Sequence, residues 1–151
     1  MNFTKLNKLT LYPDILVNNA GTEEVRSSVD VDEELWNKIL DTNLKGAFFI
    51  SQCFAKQLKV KRKHGSIINL GSLSSSIGIP TAVAYTSSKA GILGMTKALS
   101  AEWASLNIRV NAIAPGYFRT DLTEIFYKDP NWQKYMLNKI PMKRFGNMED
   151  L

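Results

Sequence analysis

Three short apolar runs, each closed by small or turn-forming residues, constrain this chain more than any other feature. They are "DILVNNAG" (14–21), "SIINLGS" (66–72) and "IRVNAIAPG" (108–116). Such a run reads as a buried strand whose carboxyl end opens onto a loop, and the first is expected to be a central parallel strand. The segments between them carry helical periodicity. From "VDEELWNKIL" through "FFISQCFAKQLKVKRK", Trp36, Leu40, Leu44 and Phe48 recur at helical spacing, and Asp32, Glu33 and Glu34 crowd the first turn, where the helix dipole favours acids. This is one long helix or two in succession, interrupted near Asn43 to Gly46. A further helix is expected from about Ala82 to Ser105, entered from a serine-rich loop. Strand, helix, strand, helix, strand is the pattern of a parallel sheet with right-handed crossovers, so the fold class is α/β.

At 151 residues and 44% hydrophobic, the chain has the size of one compact domain. No stretch approaches the ~18 apolar residues of a membrane span, and "MNFTKLNKLTLYP" lacks the apolar core of a secretory signal. A cytoplasmic protein with no membrane partner is expected. The single cysteine, Cys53, rules out an internal disulfide framework and reads as a small buried apolar residue, and one histidine beside it leaves too few soft ligands for structural zinc. The net charge of +5 owes much to "KVKRKH" (59–64). Cations at that place complement the end of a helix, and no basic stripe with interleaved aromatics accompanies them, so no nucleic-acid partner is expected. After Gly116 the texture becomes aromatic and charged, with helical pieces and no strand. Residues 117–151 read as a substrate loop or lid attached to a 14–116 β/α core.

Ligands of open parallel sheets bind beyond the carboxyl ends of the strands. This chain carries Asn18-Asn19-Ala20-Gly21, Gly71-Ser72 and Pro115-Gly116 at those ends, and all three are expected to face one crevice. Tyr85 and Lys89 stand four positions apart on the second long helix and therefore share a face. A phenol titrates near 10 when free, and a neighbouring ammonium favours the phenolate and is expected to lower that value. The group then suits alcohol and carbonyl interconversion, in which an oxygen gains or loses a proton as hydride moves at carbon. Ser72 is placed to hold the same oxygen. Ser74 is a rival for that role.

These residues fall into motifs. "NNAG" (18–21), "TNLKG" (42–46), "INLGS" (68–72), "YTSSK" (85–89) and "PGYFRT" (115–120) occur in the order found in the short-chain dehydrogenases/reductases, with Ser72 thirteen positions before Tyr85. From about Asp14 to Leu151 the chain resembles that family. The resemblance implies a partial Rossmann-like parallel sheet with flanking helices, the C-terminal part of a doubly wound dinucleotide-binding fold. It implies that Tyr85 is the catalytic acid/base, that Lys89 tunes it and binds the nicotinamide ribose, that Ser72 orients the substrate oxygen, and that Asn43 holds a relay water. Asn19, Ala20 and Gly21 would line the cofactor ribose. Pro115, Gly116, Phe118 and Thr120 would meet the nicotinamide end of NAD or NADP.

The segment "NIRVNAIAPGYFRTDLTE" with "NWQKYMLNKIPMKRFG" is most similar to gluconate 5-dehydrogenases and related sugar-acid enzymes. The 3-oxoacyl-carrier-protein reductases share most of the same motifs. Arg119, Lys143 and Arg144 are candidate cationic partners for a substrate carboxylate. None of the nine glycines has another two positions later, so G-x-G-x-x-G is absent, and the resemblance covers only the middle of a family member. Two readings follow. One is an NAD(P)-dependent oxidoreductase acting on a small alcohol or ketone. The other is an inactive remnant that associates, as the family does, through its two long helices, 32–63 and 82–105, where Ala84, Ala90, Gly91 and Gly94 allow close approach. A homo-oligomer is expected in either case.

Overall fold

A computed structural model describes residues 13–121 and 123–151. The chain divides into two compact units at Ala114–Pro115, two residues before the boundary expected from texture. In the first unit the three apolar runs form β1 (Ile15–Asn18), β2 (Gly65–Leu70) and β3 (Ile108–Ile113). All are parallel, in the order β1-β2-β3, with Asn18 opposite Asn69 and Leu70 opposite Ile113. Among the described residues β1 stands at one side of this sheet and β2 in the middle, whereas the apolar run of β1 led to the expectation of a central strand.

The helices are α1 (Glu33–Leu40), α2 (Gly46–Lys61) and α3 (Val83–Trp103). Asp32 caps α1, its carboxylate accepting the Leu35 N–H at 2.7 Å. Lys59 and Lys61 occupy the last turn of α2, and Arg62 closes it in the left-handed conformation, so the basic run does terminate a helix.

Between α1 and α2 the chain makes a π turn, Asp41–Lys45, in which the Gly46 N–H bonds the Asp41 carbonyl five residues back. A Cβ at Gly46 would lie 3.2 Å from that carbonyl oxygen, which explains the glycine. Leu35, Ile39, Asn43, Ala47 and Ser51 form the buried stripe, while Trp36 is 37% exposed and Leu40, Leu44 and Phe48 flank it half-buried. The buried stripe lies one residue before the expected one from the first turn of α1 onward, where Leu35 and Ile39 pack with Ala84.

α2 and α3 cover one sheet face. Phe54, Ala55 and Leu58 from α2 and Leu99 and Trp103 from α3 pack on Ile67, Ile108 and Val110. Burial at roughly 25 cal/mol per Å² of apolar surface makes this cluster the main stabilising element of the unit. Cys53 is half-buried rather than buried. Beneath the helices runs a chain of buried side-chain hydrogen bonds. Asn18 Nδ2 donates to Ser51 Oγ at 2.8 Å and to Asn69 Oδ1 at 2.7 Å, and Asn69 Nδ2 donates to Thr96 Oγ1 at 2.9 Å. Thr96 passes its own proton to the Ile92 carbonyl. Four elements are so joined by groups that water does not reach, and each finds a partner. The opposite sheet face presents Ile15, Val17 and Ile113, which no described element covers.

The second unit contains α4 (Glu124–Tyr127) and α5 (Pro130–Lys139) and no strand among its described residues, as its texture implied. Asp129 caps α5, with Pro130 in its first turn. Trp132 is the hub of an aromatic cluster, stacked on Phe145 at 5.8 Å and on Phe126 at 5.7 Å, with Tyr117 and Tyr127 edge-on. Among the described residues no helix is long and apolar enough to cross a membrane.

Candidate active site

The parallel sheet brings the carboxyl ends of β1 and β2 to one edge, where the first unit gathers its chemistry. Ser72 follows β2 and begins a short 3-10 turn, its hydroxyl accepting the Ser74 N–H at 3.2 Å. Ser75 Oγ in turn accepts the Ser72 N–H at 3.0 Å and donates to the Lys89 carbonyl at 2.9 Å. The serine loop is therefore bonded to α3 at the lysine itself. Ser72, not Ser74, reaches the Tyr85 phenol; Ser74 is buried with its hydroxyl unpartnered.

Tyr85 and Lys89 share a face of α3, as their spacing required. Lys89 is 6% exposed, and its ammonium donates to the carbonyl of Leu70, the last residue of β2, at 2.7 Å. It lies 5.6 Å from the centroid of the Tyr85 ring. Tyr85 also packs against Leu35, Ile39 and Ala84, where α1 crosses the start of α3. That packing reverses an expectation. Burial pushes the phenol above its ordinary value, the Ser72 hydroxyl opposes the rise, and the Glu23 carboxylate adds to it. Burial outweighs the groups that would lower it, and the Lys89 ammonium, 5.6 Å from the ring centroid, donates to the Leu70 carbonyl. Burial pushes the Lys89 ammonium down, with Glu23 opposing.

Asn43, 2% exposed in the π turn, is a clamp. Its Oδ1 accepts the Thr22 N–H at 2.8 Å, and its Nδ2 donates to the Thr22 carbonyl at 2.9 Å and to Ser88 Oγ at 3.0 Å. Ser88 donates to the Tyr85 carbonyl at 2.7 Å. One amide thus joins the loop after β1 to the helix bearing Tyr85 and Lys89. Both its N–H groups are taken by protein. Asn19, Ala20 and Gly21 lie exposed on that loop, and a Cβ placed on Gly21 would be 3.7 Å from both Lys89 Nζ and Asn43 Oδ1.

Pro115, Gly116, Phe118 and Thr120 belong to the second unit. Phe118 pairs with Gly146 in an isolated bridge, and the Thr120 N–H donates to Thr123 Oγ1 at 2.9 Å. The three cations considered for a substrate carboxylate are engaged within this unit. Arg119 forks onto Glu124 with two bonds of 2.7 Å, Arg144 bonds Asp150 at 2.7 Å and 3.0 Å, and Lys143 donates to the Asn138 carbonyl at 3.0 Å. Arg144 holds the Asp150 carboxyl down at about 2.

Two contributors escape the sequence. Ser88 lies inside the "YTSSK" motif and shows its role only through Asn43, forty-five positions away. Glu23 follows the "NNAG" motif, and nothing local separates it from Glu24. In the structure Glu24 pairs with Arg26 and Lys38, whereas Glu23 is half-buried and electrostatically coupled to Lys89 and Tyr85.

The pattern of the family described as short chain dehydrogenase matches residues 4–131. A 2-dehydro-3-deoxy-D-gluconate 5-dehydrogenase of Dickeya dadantii is 42% identical over 139 residues, covering 91% of this chain and 54% of the relative. A 3-oxoacyl-[acyl-carrier-protein] reductase of Staphylococcus epidermidis is 41% identical over 138 residues, covering 91% of this chain and 55% of the relative. The solved gluconate 5-dehydrogenase from Burkholderia cenocepacia, in complex with NADP and tartrate, superposes with a TM-score of 0.90 at 30% identity, covering 95% of this chain and 56% of that one. The chain therefore spans about half the length of the curated relatives it matches. With the parallel β/α core, the Ser72, Tyr85 and Lys89 cluster and a family match over most of its length in agreement, the chain belongs to the short-chain dehydrogenase family.

Proposed function

We propose that this chain carries the catalytic portion of an NAD(P)-dependent oxidoreductase that interconverts a secondary alcohol and a ketone on a sugar acid such as gluconate. The observation that carries the reading is the convergence of the Ser72 hydroxyl, the Tyr85 phenol and the Lys89 ammonium beside the loop after β1. When bound, the nicotinamide supplies or accepts the hydride. Tyr85 gives a proton to the carbonyl oxygen in reduction and removes it in oxidation, and Ser72 orients that oxygen. The upward displacement of the phenol keeps the proton in place at neutral pH and favours the donor role.

The residues fit the nicotinamide-ribose half of a dinucleotide. The exposed Asn19-Ala20-Gly21 loop lies beside the Lys89 ammonium, a donor suited to ribose hydroxyls. In this reading Pro115, Gly116, Phe118 and Thr120 receive the carboxamide end. Asn43 acts as a positioning residue that fixes the loop and α3, and the relay water is assigned to it as in the family resemblance. A second copy of the chain is the proposed partner, docking through α2 and α3, where Phe49, Ala90 and Gly94 are exposed.

The 41% identity to a 3-oxoacyl-[acyl-carrier-protein] reductase supports a second reading with the same chemistry and a different substrate. Fluorescence titration with NADH and NADPH, followed by assay with gluconate and a 3-oxoacyl thioester, tests both. Saturable binding weakened by Lys89→Ala supports the site. Absence of binding at millimolar nucleotide overturns catalysis by this chain alone.

A further inference from the structure

Glu23 is the acidic group of the site that the reaction, as proposed above, does not use. It lies on the loop after β1, next to Thr22, whose N–H and carbonyl are both held by Asn43, so the backbone that carries it is fixed. Its neighbour Glu24 takes the cations at hand, Arg26 and Lys38. Glu23 takes part in no ion pair among the described residues, is half-buried, and feels the Lys89 charge as Tyr85 feels its own. A half-buried carboxylate with vacant lone pairs is costly unless a donor reaches it. Here the reacting oxygen of a substrate would stand at Ser72 and Tyr85, and the substrate's adjoining atoms would be the donors within reach.

We propose that Glu23 is a substrate-selecting residue that accepts a hydrogen bond from a hydroxyl or ammonium on a carbon next to the reacting one. The inference rests on the oxidoreductase reading and sharpens it. It directs the site toward polyhydroxylated or amino-substituted alcohols and away from 3-oxoacyl chains, whose adjoining carbons bear no donor. A site built to bond a substrate hydroxyl discriminates strongly against an analogue that lacks it, because the half-buried acceptor is then left unpaired. Gluconate satisfies the requirement at its inner carbons, with its own carboxylate at the far end of the molecule. Burial raises the Glu23 carboxyl above its usual range and Lys89 opposes the rise, in keeping with a carboxylate held out of bulk water at the site.

The test is a pair of saturation-transfer NMR titrations, with D-gluconate and with a 3-hydroxybutyryl thioester, on the wild-type chain, Glu23→Gln and Glu23→Leu, with NADH binding followed in parallel by fluorescence. Matching circular dichroism spectra establish that the variants fold. The wild type is expected to prefer gluconate. Glu23→Leu should weaken gluconate about 10- to 100-fold relative to the thioester, the range of a charge-assisted hydrogen bond, and Glu23→Gln, which keeps a neutral acceptor, should fall between. A gluconate-to-thioester ratio identical in wild type and Glu23→Leu, or no gluconate binding by the wild type, overturns the proposal. NADH binding with an unchanged ratio leaves the oxidoreductase reading standing and this one refuted. A ratio that depends on Glu23 without NADH binding keeps the sugar-acid contact at Glu23 but overturns the oxidoreductase reading, and with it the proposal that the contact selects a redox substrate.

Discussion

Asn43 Nδ2 donates to Ser88 Oγ at 3.0 Å, joining a π turn to the helix that carries Tyr85 and Lys89. The same amide grips both polar atoms of the Thr22 backbone, so one buried side chain sets the separation of the loop after β1 from the Tyr85 and Lys89 face of α3. Replacing it by alanine leaves the Thr22 N–H and carbonyl without these partners. A loss of about 2–4 kcal/mol is expected, since each buried polar group left unsatisfied costs about 1–3 kcal/mol and water recovers part of that at the loop. Urea denaturation measures it. A change below about 0.5 kcal/mol would show that the clamp is not structural.

The Asn18, Ser51, Asn69 and Thr96 chain is expected to act as one unit. Asn18→Ala and Thr96→Val should each destabilise, and the double variant should lose less than their sum, with a coupling of about 0.5–3 kcal/mol carried through Asn69. A double-mutant cycle in urea determines it. Strict additivity would mean that the bonds act separately.

Two glycines of α3 should respond with opposite signs. A Cβ at Gly91 would stand 2.6 Å from Leu44 Cδ2, whereas a Cβ at Gly94 meets nothing within 4 Å. Gly94→Ala is expected to stabilise by about 0.5–1 kcal/mol through helix propensity alone. Gly91→Ala forces Leu44 aside and should destabilise by about 1–3 kcal/mol, partly relieved by Leu44→Ala. Thermal melts of the three variants decide the matter, and equal shifts for the two glycines would contradict the close packing of α3 on the π turn.

On the proposed oxidoreductase reading, burial of the Tyr85 phenol predicts that alcohol oxidation accelerates about tenfold per pH unit up to and beyond the ordinary phenol value near 10. Ketone reduction should be flat through neutrality. The effect on stability follows from the same displacement. Between the unfolded and folded values the unfolded chain releases its proton first, so the Tyr85 contribution is fully present below pH about 10 and declines above it. Tyr85→Phe should remove the oxidation slope and lower turnover by about 100- to 10,000-fold. A pH–rate profile with a break near neutrality in the wild type would point to a phenol lowered rather than raised.

What the sequence alone determined about this protein is local. The helical repeat places Tyr85 and Lys89 on one face of their helix, and the apolar runs at 14–21, 66–72 and 108–116, alternating with helical segments, point to strands of one parallel sheet. The termination of α2 at its basic run and the interruption near Asn43 were legible for the same reason. Tertiary packing decided the rest. Asn18 meets Asn69 across fifty-one positions and Asn43 meets Ser88 across forty-five, pairings that no periodicity encodes. Packing of α1 against the start of α3 buries Leu35 and Ile39 in place of Trp36 and Leu40. Arg119 and Arg144 were claimed by Glu124 and Asp150. The Tyr85 phenol is raised instead of lowered because its packing against Leu35 and Ile39 of α1 buries it, and desolvation is set by the whole fold and not by the spacing of two residues on one helix.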